Sequence, residues 1–302
     1  MSKTIFCIDI KSFYASVECV DRGLNPFLIP LVVADKERGN GSIVLAVSPA
    51  LRADGVPSRL RIFELPKRDD IVFAKPRMKR YLEISAKIVS LYLDYVGEDD
   101  LHIYSVDECF LDVTHYLKFY NLTPYELAMK IKNDIYKRFS LTVTIGIGHN
   151  LLVSKLAMDI EAKQSKNMIA QWNQEDIKSK LWKVAPLSKM WGISRGYERK
   201  LNRLGIYSVG DLANYPKQRL HSLFGVKGDE LSENANGIDY SDIRNKYIPD
   251  TTSFTSGQVF FRDYHKNEMK IIIEEMLDDL LLRLLSNHLL SSSISLTISY
   301  AK

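Results

Sequence analysis

Three carboxylates stand where their types and spacing could serve one reaction. Asp9 closes an apolar run in "FCIDIKSFYASVE", while Asp107 and Glu108 lie between the apolar halves of "YSVDECFLDV". In a regular strand adjacent side chains point to opposite faces, so Asp107 and Glu108 can address one site only where the backbone bends, as at a hairpin turn. Taken singly, each acid fits a solvated turn equally well. Taken together, three carboxylates on rigid strands make the donor set that a pair of Mg²⁺ ions accepts, with phosphates and water completing the octahedra. The charge distribution has the same sense. From Asp94 to Asp112 there are seven acids and no Lys or Arg, whereas Lys178 to Arg219 holds ten Lys or Arg against two acids. An acidic pit suits cations, and a basic limb suits a polyanion.

The elements that must position these residues are legible in outline. "KTIFCID", "PLVVAD" and "GSIVLAVS" read as strands, and "SFYASVECV" as a helix carrying Phe13, Val17 and Val20 on one face. "PRMKRYLEISAKIVSLYLDYV" predicts a long amphipathic helix with Met78, Leu82, Ile84, Ile88, Leu91 and Leu93 inward. "DLHIYSV" and "CFLDV" predict a hairpin, "YELAMKIKNDIYKRF" a second helix and "LTVTIGIG" a further strand. Without a regular βαβ period, the expected class is α+β, with helices on one face of a mainly antiparallel sheet. After "QWNQEDI" the chain turns to helices and basic residues, and from about Thr251 it reads strand, helix, strand.

At 302 residues, 46% hydrophobic and 26% charged, the chain suffices for about two ordinary domains. Cys7, Cys19 and Cys109 are odd in number without Cys-x-x-Cys spacing, which suggests buried reduced thiols rather than disulfides or zinc. No secretion signal is visible, and "MKIIIEEMLDDLLLRLLSNHLL" carries Glu274, Glu275, Asp278, Asp279 and Arg283, which a bilayer core rejects. A cytoplasmic location without a membrane is the expectation.

The ordered motifs "IDIKSFYASVE", "YSVDECFLDV", "TVTIGIGHNLLVSKLA" and "MWGISRGYERKLNRLGIYSVGDL" resemble those of Y-family (translesion) DNA polymerases. The chain is similar to their UmuC-like, ImpB/MucB/SamB-type branch in Gram-positive bacteria and mobile elements, over nearly its whole length. The resemblance implies a right-hand polymerase. Its parts would be a mixed-sheet palm at 1–22 and 77–170, small fingers at 23–76, a helical thumb with a helix-hairpin-helix at 171–240 and a linker at 241–250. An α/β little finger at 251–302 would be incomplete, about half the usual length. The implied activity is template-directed nucleotidyl transfer past damaged bases in DNA repair and the SOS response. Primer-template DNA and deoxynucleoside triphosphates would be its partners, with a sliding clamp or accessory subunit as a further candidate.

The resemblance also implies roles for residues. Asp9, Asp107, Glu108 and the carbonyl of Ile10 would hold two Mg²⁺, with Mn²⁺ as the alternative ion. Tyr14 would be the steric gate against a 2′-hydroxyl, and Phe13 fits either a wall of the nucleotide pocket or the core. Ser48, Arg52 and Lys163 would contact the triphosphate, although Pro49 replaces the family's usual Tyr and the alignment at Lys163 needs an insertion. Arg59 and Arg61, in an expected fingers strand, fit template phosphate or plain solvation. In the helix-hairpin-helix, Gly192-Ile193-Ser194 replaces Gly-x-Gly. Ser194, Arg195, Arg199, Lys200 and Arg203 would meet DNA phosphate there, a basic solvated face being the alternative. "LHSLF" at 220–224 echoes a clamp-binding peptide but fits a buried helix, and Trp172, Trp182 and Trp191 read as packing. Two other functions compete: a catalytically silent DNA-binding regulatory protein that retains the fold, and a nucleotide cyclase with a similar sheet.

Overall fold

A computed structural model of the chain describes residues 3–245, 251–260 and 262–300. The central sheet has strand order β5-β6-β1-β7-β8, formed by β1 (Ile5–Ile10), β5 (Leu101–Ile103), β6 (Glu108–Asp112), β7 (Val143–Gly148) and β8 (Ile169–Gln171). Only β7 and β8 run parallel; β1 lies antiparallel to both β6 and β7. Because β1 is central and covered on both faces, its sequence is a near-continuous apolar run that ends at Asp9 and Ile10.

One face carries Phe6, Ile8 and Ile10 into the main core. Helices α1 (Phe13–Asp21), α3 (Met78–Leu93) and α5 (Pro124–Phe139) close it. Pro124 occupies the first turn of α5, and Thr123 and Glu126 cap it reciprocally. The inward face of α3 differs from the expected one. Tyr81, Ile84, Ile88, Leu91 and Tyr92 are buried, whereas Met78, Leu82 and Leu93 are exposed. Hydrophobicity alone favours Met and Leu, but the two tyrosines have hydrogen-bonding or packing partners inside.

Helices do not keep to one face. A short helix α6 (Leu151–Leu156) and the π-helical stretch Ala157–Ala162 lie on the opposite side of β7. Two glycines permit this approach: a Cβ on Gly146 would stand 2.0 Å from the Ser154 carbonyl oxygen, and one on Gly148 2.4 Å from the Ser154 nitrogen.

A second sheet, in order β3-β2-β4, comprises β2 (Leu31–Val33), β3 (Ala46–Val47) and β4 (Val72–Ala74), with α2 (Pro49–Ala53) beside it. Only two residues of "GSIVLAVS" form a strand. Arg59 and Arg61 lie in none: Arg59 has φ +63°, and Arg61 makes a single isolated bridge to Ile43. Beyond β8, five helices form a second core with residues from Leu152 to Ala235. They are α7 (Gln174–Ser179), α8 (Arg195–Asn202), α9 (Val209–Asn214), α10 (Lys217–Phe224) and α11 (Val226–Ala235), while α4 (Tyr116–Tyr120) belongs to the first body. Leu220 is buried there, as expected of "LHSLF", but Leu223 is 54% exposed.

The C-terminal segment holds α12 (Lys266–Ser286), none of whose residues is buried. Residues 252–260 and 293–300, expected as strands, have no strand structure. An extended segment becomes a strand only by pairing, and two isolated segments on one helix are marginal. Residues 246–250 of the expected linker lie outside the described residues. Among the described residues no helix is long and apolar enough to cross a membrane.

Candidate active site

Asp9 and Glu108 are cross-strand partners in the β1/β6 ladder, so their side chains share one face of the sheet. It is the face covered by α6. Asp107 is the last residue of the β5/β6 loop, and its carbonyl accepts from the Ile10 amide at 2.9 Å. The backbone bends over residues 105–107, immediately before β6 begins, as expected at this acidic pair. Tyr104 and Ser105 both donate their amides to the Glu108 carbonyl, closing the loop.

The three carboxylates each have a protein partner. Asp107 Oδ1 accepts from Ser105 Oγ at 2.7 Å. Glu108 Oε2 accepts from Lys155 Nζ at 2.8 Å, and its Oε1 from Cys7 Sγ at 3.3 Å. Asp9 faces Lys163 Nζ at 3.7 Å. Burial, opposed by Lys163 but reinforced by the charges of Asp107 and Glu108, raises the pKa of Asp9 to about 6. So placed, no three acidic, His or Cys side chains among the described residues surround one point where an ion could sit. The donor chemistry nevertheless fits a divalent cation: the site gathers negative charge that its own lysines neutralise only in part.

Lys163 arrives here through the π-helical stretch. A π turn takes in one residue more than an α turn, and Lys163 caps the C-terminal end of this stretch. Lys155, Asp159 and Lys163 then form a ladder, Asp159 lying 3.2 Å from Lys155 and 2.7 Å from Lys163. Burial works against the Lys163 ammonium, but Asp9 and Asp159 outweigh it and its pKa lies above the ordinary lysine value. Sequence reasoning missed Lys155 altogether. Its signal was the spacing of alternating charges four residues apart.

Tyr14 follows within a few residues of Asp9 because Ser12 takes a left-handed conformation, φ 50°, and turns the chain from β1 directly into α1. Its ring stacks on Tyr81, with centroids 4.6 Å apart and planes at 24°. Burial and the Asp107 charge raise its pKa. Tyr81 in turn donates its hydroxyl to Glu18 Oε1 at 2.7 Å. Glu18 is fully buried and also accepts from Arg77 and Arg22, while Arg77 and Arg80 reach Asp21. None of this network was foreseen; the cue was a charged residue, Glu18, on the inward side of α1.

Of the expected nucleotide contacts, Phe13 takes the core position that was its alternative, and Ser48 is corrected. Phe13 is 2% exposed and belongs to the main core. Ser48 is fully buried, and its hydroxyl caps α2 while accepting from the Leu31 amide and donating to the Ile29 carbonyl. Pro49, where a Tyr was usual, fills the first turn of α2, a position in which the missing N–H costs nothing. Arg52 is exposed on that helix. Gly192 has φ +86°, and Ser194 caps α8 by accepting from the Tyr197 amide. The second glycine is thus replaced by a capping serine. Arg195, Arg199, Lys200 and Arg203 are all exposed.

Comparison with known proteins identifies the family of the chain. Residues 8–159 match the impB/mucB/samB family (IMS). The chain is 42% identical over 302 residues to "Putative UV-damage repair protein UvrX" of Bacillus subtilis, covering 99% of this chain and 71% of that protein. It is 32% identical over 300 residues to DNA polymerase IV 2 of the same organism, covering 98% and 71%. Among solved structures it resembles a Y-family DNA polymerase chimera of Dbh and Dpo4, with TM-score 0.69, 26% identity and coverage of 81% of this chain and 70% of that one. An insertion ternary complex of Dbh DNA polymerase gives TM-score 0.67 at 25% identity, covering 79% and 69%.

Proposed function

This chain belongs to the impB/mucB/samB family and is a DNA-directed DNA polymerase of the translesion type; from that premise we propose how its residues divide the work. Asp9, Asp107 and Glu108, with the Ile10 carbonyl, would hold two Mg²⁺ or Mn²⁺ ions. Bound there, the ions would neutralise the triphosphate and make the primer hydroxyl a better nucleophile. Ser105 holds Asp107, and Lys155 with Cys7 holds Glu108, until a cation competes for them.

Lys163 and Arg52 orient the triphosphate, Lys163 from the π-helical stretch and Arg52 from α2, where a guanidinium can meet two phosphate oxygens at once. Tyr14 stands against C2′ of the incoming sugar and excludes a 2′-hydroxyl. Arg195, Arg199 and Lys200 on α8 and Arg203 at its C-terminal cap, led by Gly192 and Ser194, grip the primer-template backbone. Residues 1–22 and 77–170 act as palm, 23–76 as fingers, 171–240 as thumb and 251–302 as little finger. A cytoplasmic site of action and contact with a clamp or accessory subunit complete the proposal.

The observation that carries it is the cross-strand pair Asp9 and Glu108 joined to Asp107 through the Ile10 amide, with two lysines opposed. Primer extension with Mg²⁺ tests it. Asp107→Asn should lose extension by at least about a thousandfold while retaining DNA affinity, since a ligand is removed and no DNA contact is. Near-parental extension by that variant would sink the assignment, and an inactive parent chain would favour the silent, regulatory reading.

A further inference from the structure

One side-chain bridge joins the metal-bearing loop to the DNA-binding turn, and none of the roles above uses it. Tyr104 opens the loop that ends at Asp107, and Trp191 immediately precedes Gly192. Trp191 Nε1 donates to the Tyr104 hydroxyl at 3.3 Å. Their rings meet edge to face, with centroids 5.9 Å apart and planes at 77°. Both rest on Phe110, at 5.8 Å from Tyr104 and 6.3 Å from Trp191. Phe110 is fully buried on β6, the strand that begins with Glu108.

The bridge therefore has two fixed ends. On one side, the amides of Tyr104 and Ser105 are bonded to the Glu108 carbonyl at 3.0 Å, and Ser105 holds Asp107. On the other, Met190 is buried in the second core, and Gly192 turns the chain into the Ser194 cap. Tyr104 is nevertheless 47% exposed, so burial alone does not explain its contact. An edge-to-face pair with a hydrogen bond fixes orientation as well as distance.

We propose that Trp191 and Tyr104 are positioning residues that set the separation between the turn gripping the DNA backbone and the loop carrying Asp107. The primer end presented by the first then arrives at the carboxylates held by the second. The proposal rests on reading Asp107 as a metal ligand and the α8 turn as a phosphate contact. Displacement at phosphorus tolerates little misalignment, since a misplacement of about 1 Å can cost about a hundredfold in rate.

A double-mutant cycle in the full chain tests it, with Trp191→Ala, Tyr104→Ala, the double variant and Trp191→Phe. Each alanine variant should lower kcat at saturating primer-template and nucleotide by roughly 10- to 100-fold, with the DNA Kd moving less than about 3-fold. The double variant should be no worse than either single one, and Trp191→Phe should recover most of the rate. Without DNA or Mg²⁺, Trp191→Ala should also speed hydrogen exchange at the Tyr104 and Ser105 amides. Should the alanine variants melt early, Trp191→Leu and Tyr104→Leu, which keep apolar bulk but lose the edge-to-face ring contact, form a second cycle, and coupling or independence between them decides the matter in the same way. Unchanged kcat and exchange, or losses that multiply, would overturn the proposal. Asp107→Asn in the same series separates the failures. If it extends primers, the metal reading falls; if it is dead while Trp191→Ala is fully active, only the positioning claim falls.

Discussion

At Asp9 a single buried carboxylate makes stability depend on pH. Its pKa rises from an ordinary 3.8 to about 6 in the fold, burial being the main cause. The folded chain thus holds this proton more tightly than the unfolded chain does. The contribution of Asp9 to metal-free stability is best below pH about 4, declines between about 4 and about 6, and stays low above that. Asp9→Asn should therefore stabilise the metal-free protein at pH 7 by on the order of 1 to 2 kcal/mol while abolishing primer extension. Melting followed from pH 4 to 7 measures the first effect, and a Tm difference that ignores pH would contradict it. Activity should fall as pH drops through about 6, with added Mg²⁺ moving that midpoint lower. Tyr14 gives a second test: Tyr14→Ala should admit ribonucleotides and Tyr14→Phe should still exclude them, read as the ratio of single insertion rates. Equal exclusion by Ala and Tyr would remove Tyr14 from the gate. That Asp9, Asp107 and Glu108 meet at one end of the sheet was legible because each closes or opens an apolar strand run. What steadies them was not. Tyr81 meets Glu18 from 63 residues away, and Lys155 meets Glu108 from 47.

At the scale of elements, close approach between β7 and α6 decides whether Lys155 reaches Glu108. Gly146→Ala would put a methyl group 2.0 Å from the Ser154 carbonyl oxygen and 2.4 Å from the Met158 nitrogen, both backbone atoms that cannot swing aside. It should destabilise the fold by about 3 kcal/mol, measured by urea denaturation, and reduce extension through displacement of Lys155. A neutral effect would show that α6 has room the geometry denies it. The pattern of "TVTIGIG" announced a strand, but its glycines speak about a helix that periodicity could not place. Likewise, counting apolar residues chose Met78, Leu82 and Leu93 for the inner face of α3, where Tyr81 and Tyr92 are buried instead. Polar atoms on those rings hid their burial from a count of hydrophobicity. Strands at the C-terminus failed for a different reason: alternation can prepare a strand, but only a neighbour completes one.

Across the whole molecule, stability should be uneven. Helix α12 buries no residue, and Ile271, Leu282 and Leu285 are each more than 60% exposed. Its amides should exchange far faster than those of β1 and β7, by at least about a thousandfold in native-state exchange. Strong protection of α12 in a proven monomer would refute this. The rest of the chain behaves otherwise because of α6. Leu152, Val153 and Leu156 belong to the second core, while Lys155 on the same helix is tied to Glu108 in the central sheet. Asp239 binds the Leu152 amide, and Asn150 binds the Gly237 carbonyl, which fastens the end of the helical region to the start of α6. Heat cannot melt one core and spare the other, because each would lose a wall. Calorimetry should then record one cooperative transition for both, with a ratio of calorimetric to van't Hoff enthalpy of about 1. On heating, the two cores would be lost together, so no molecule would keep the carboxylates of the central sheet while losing the α8 turn.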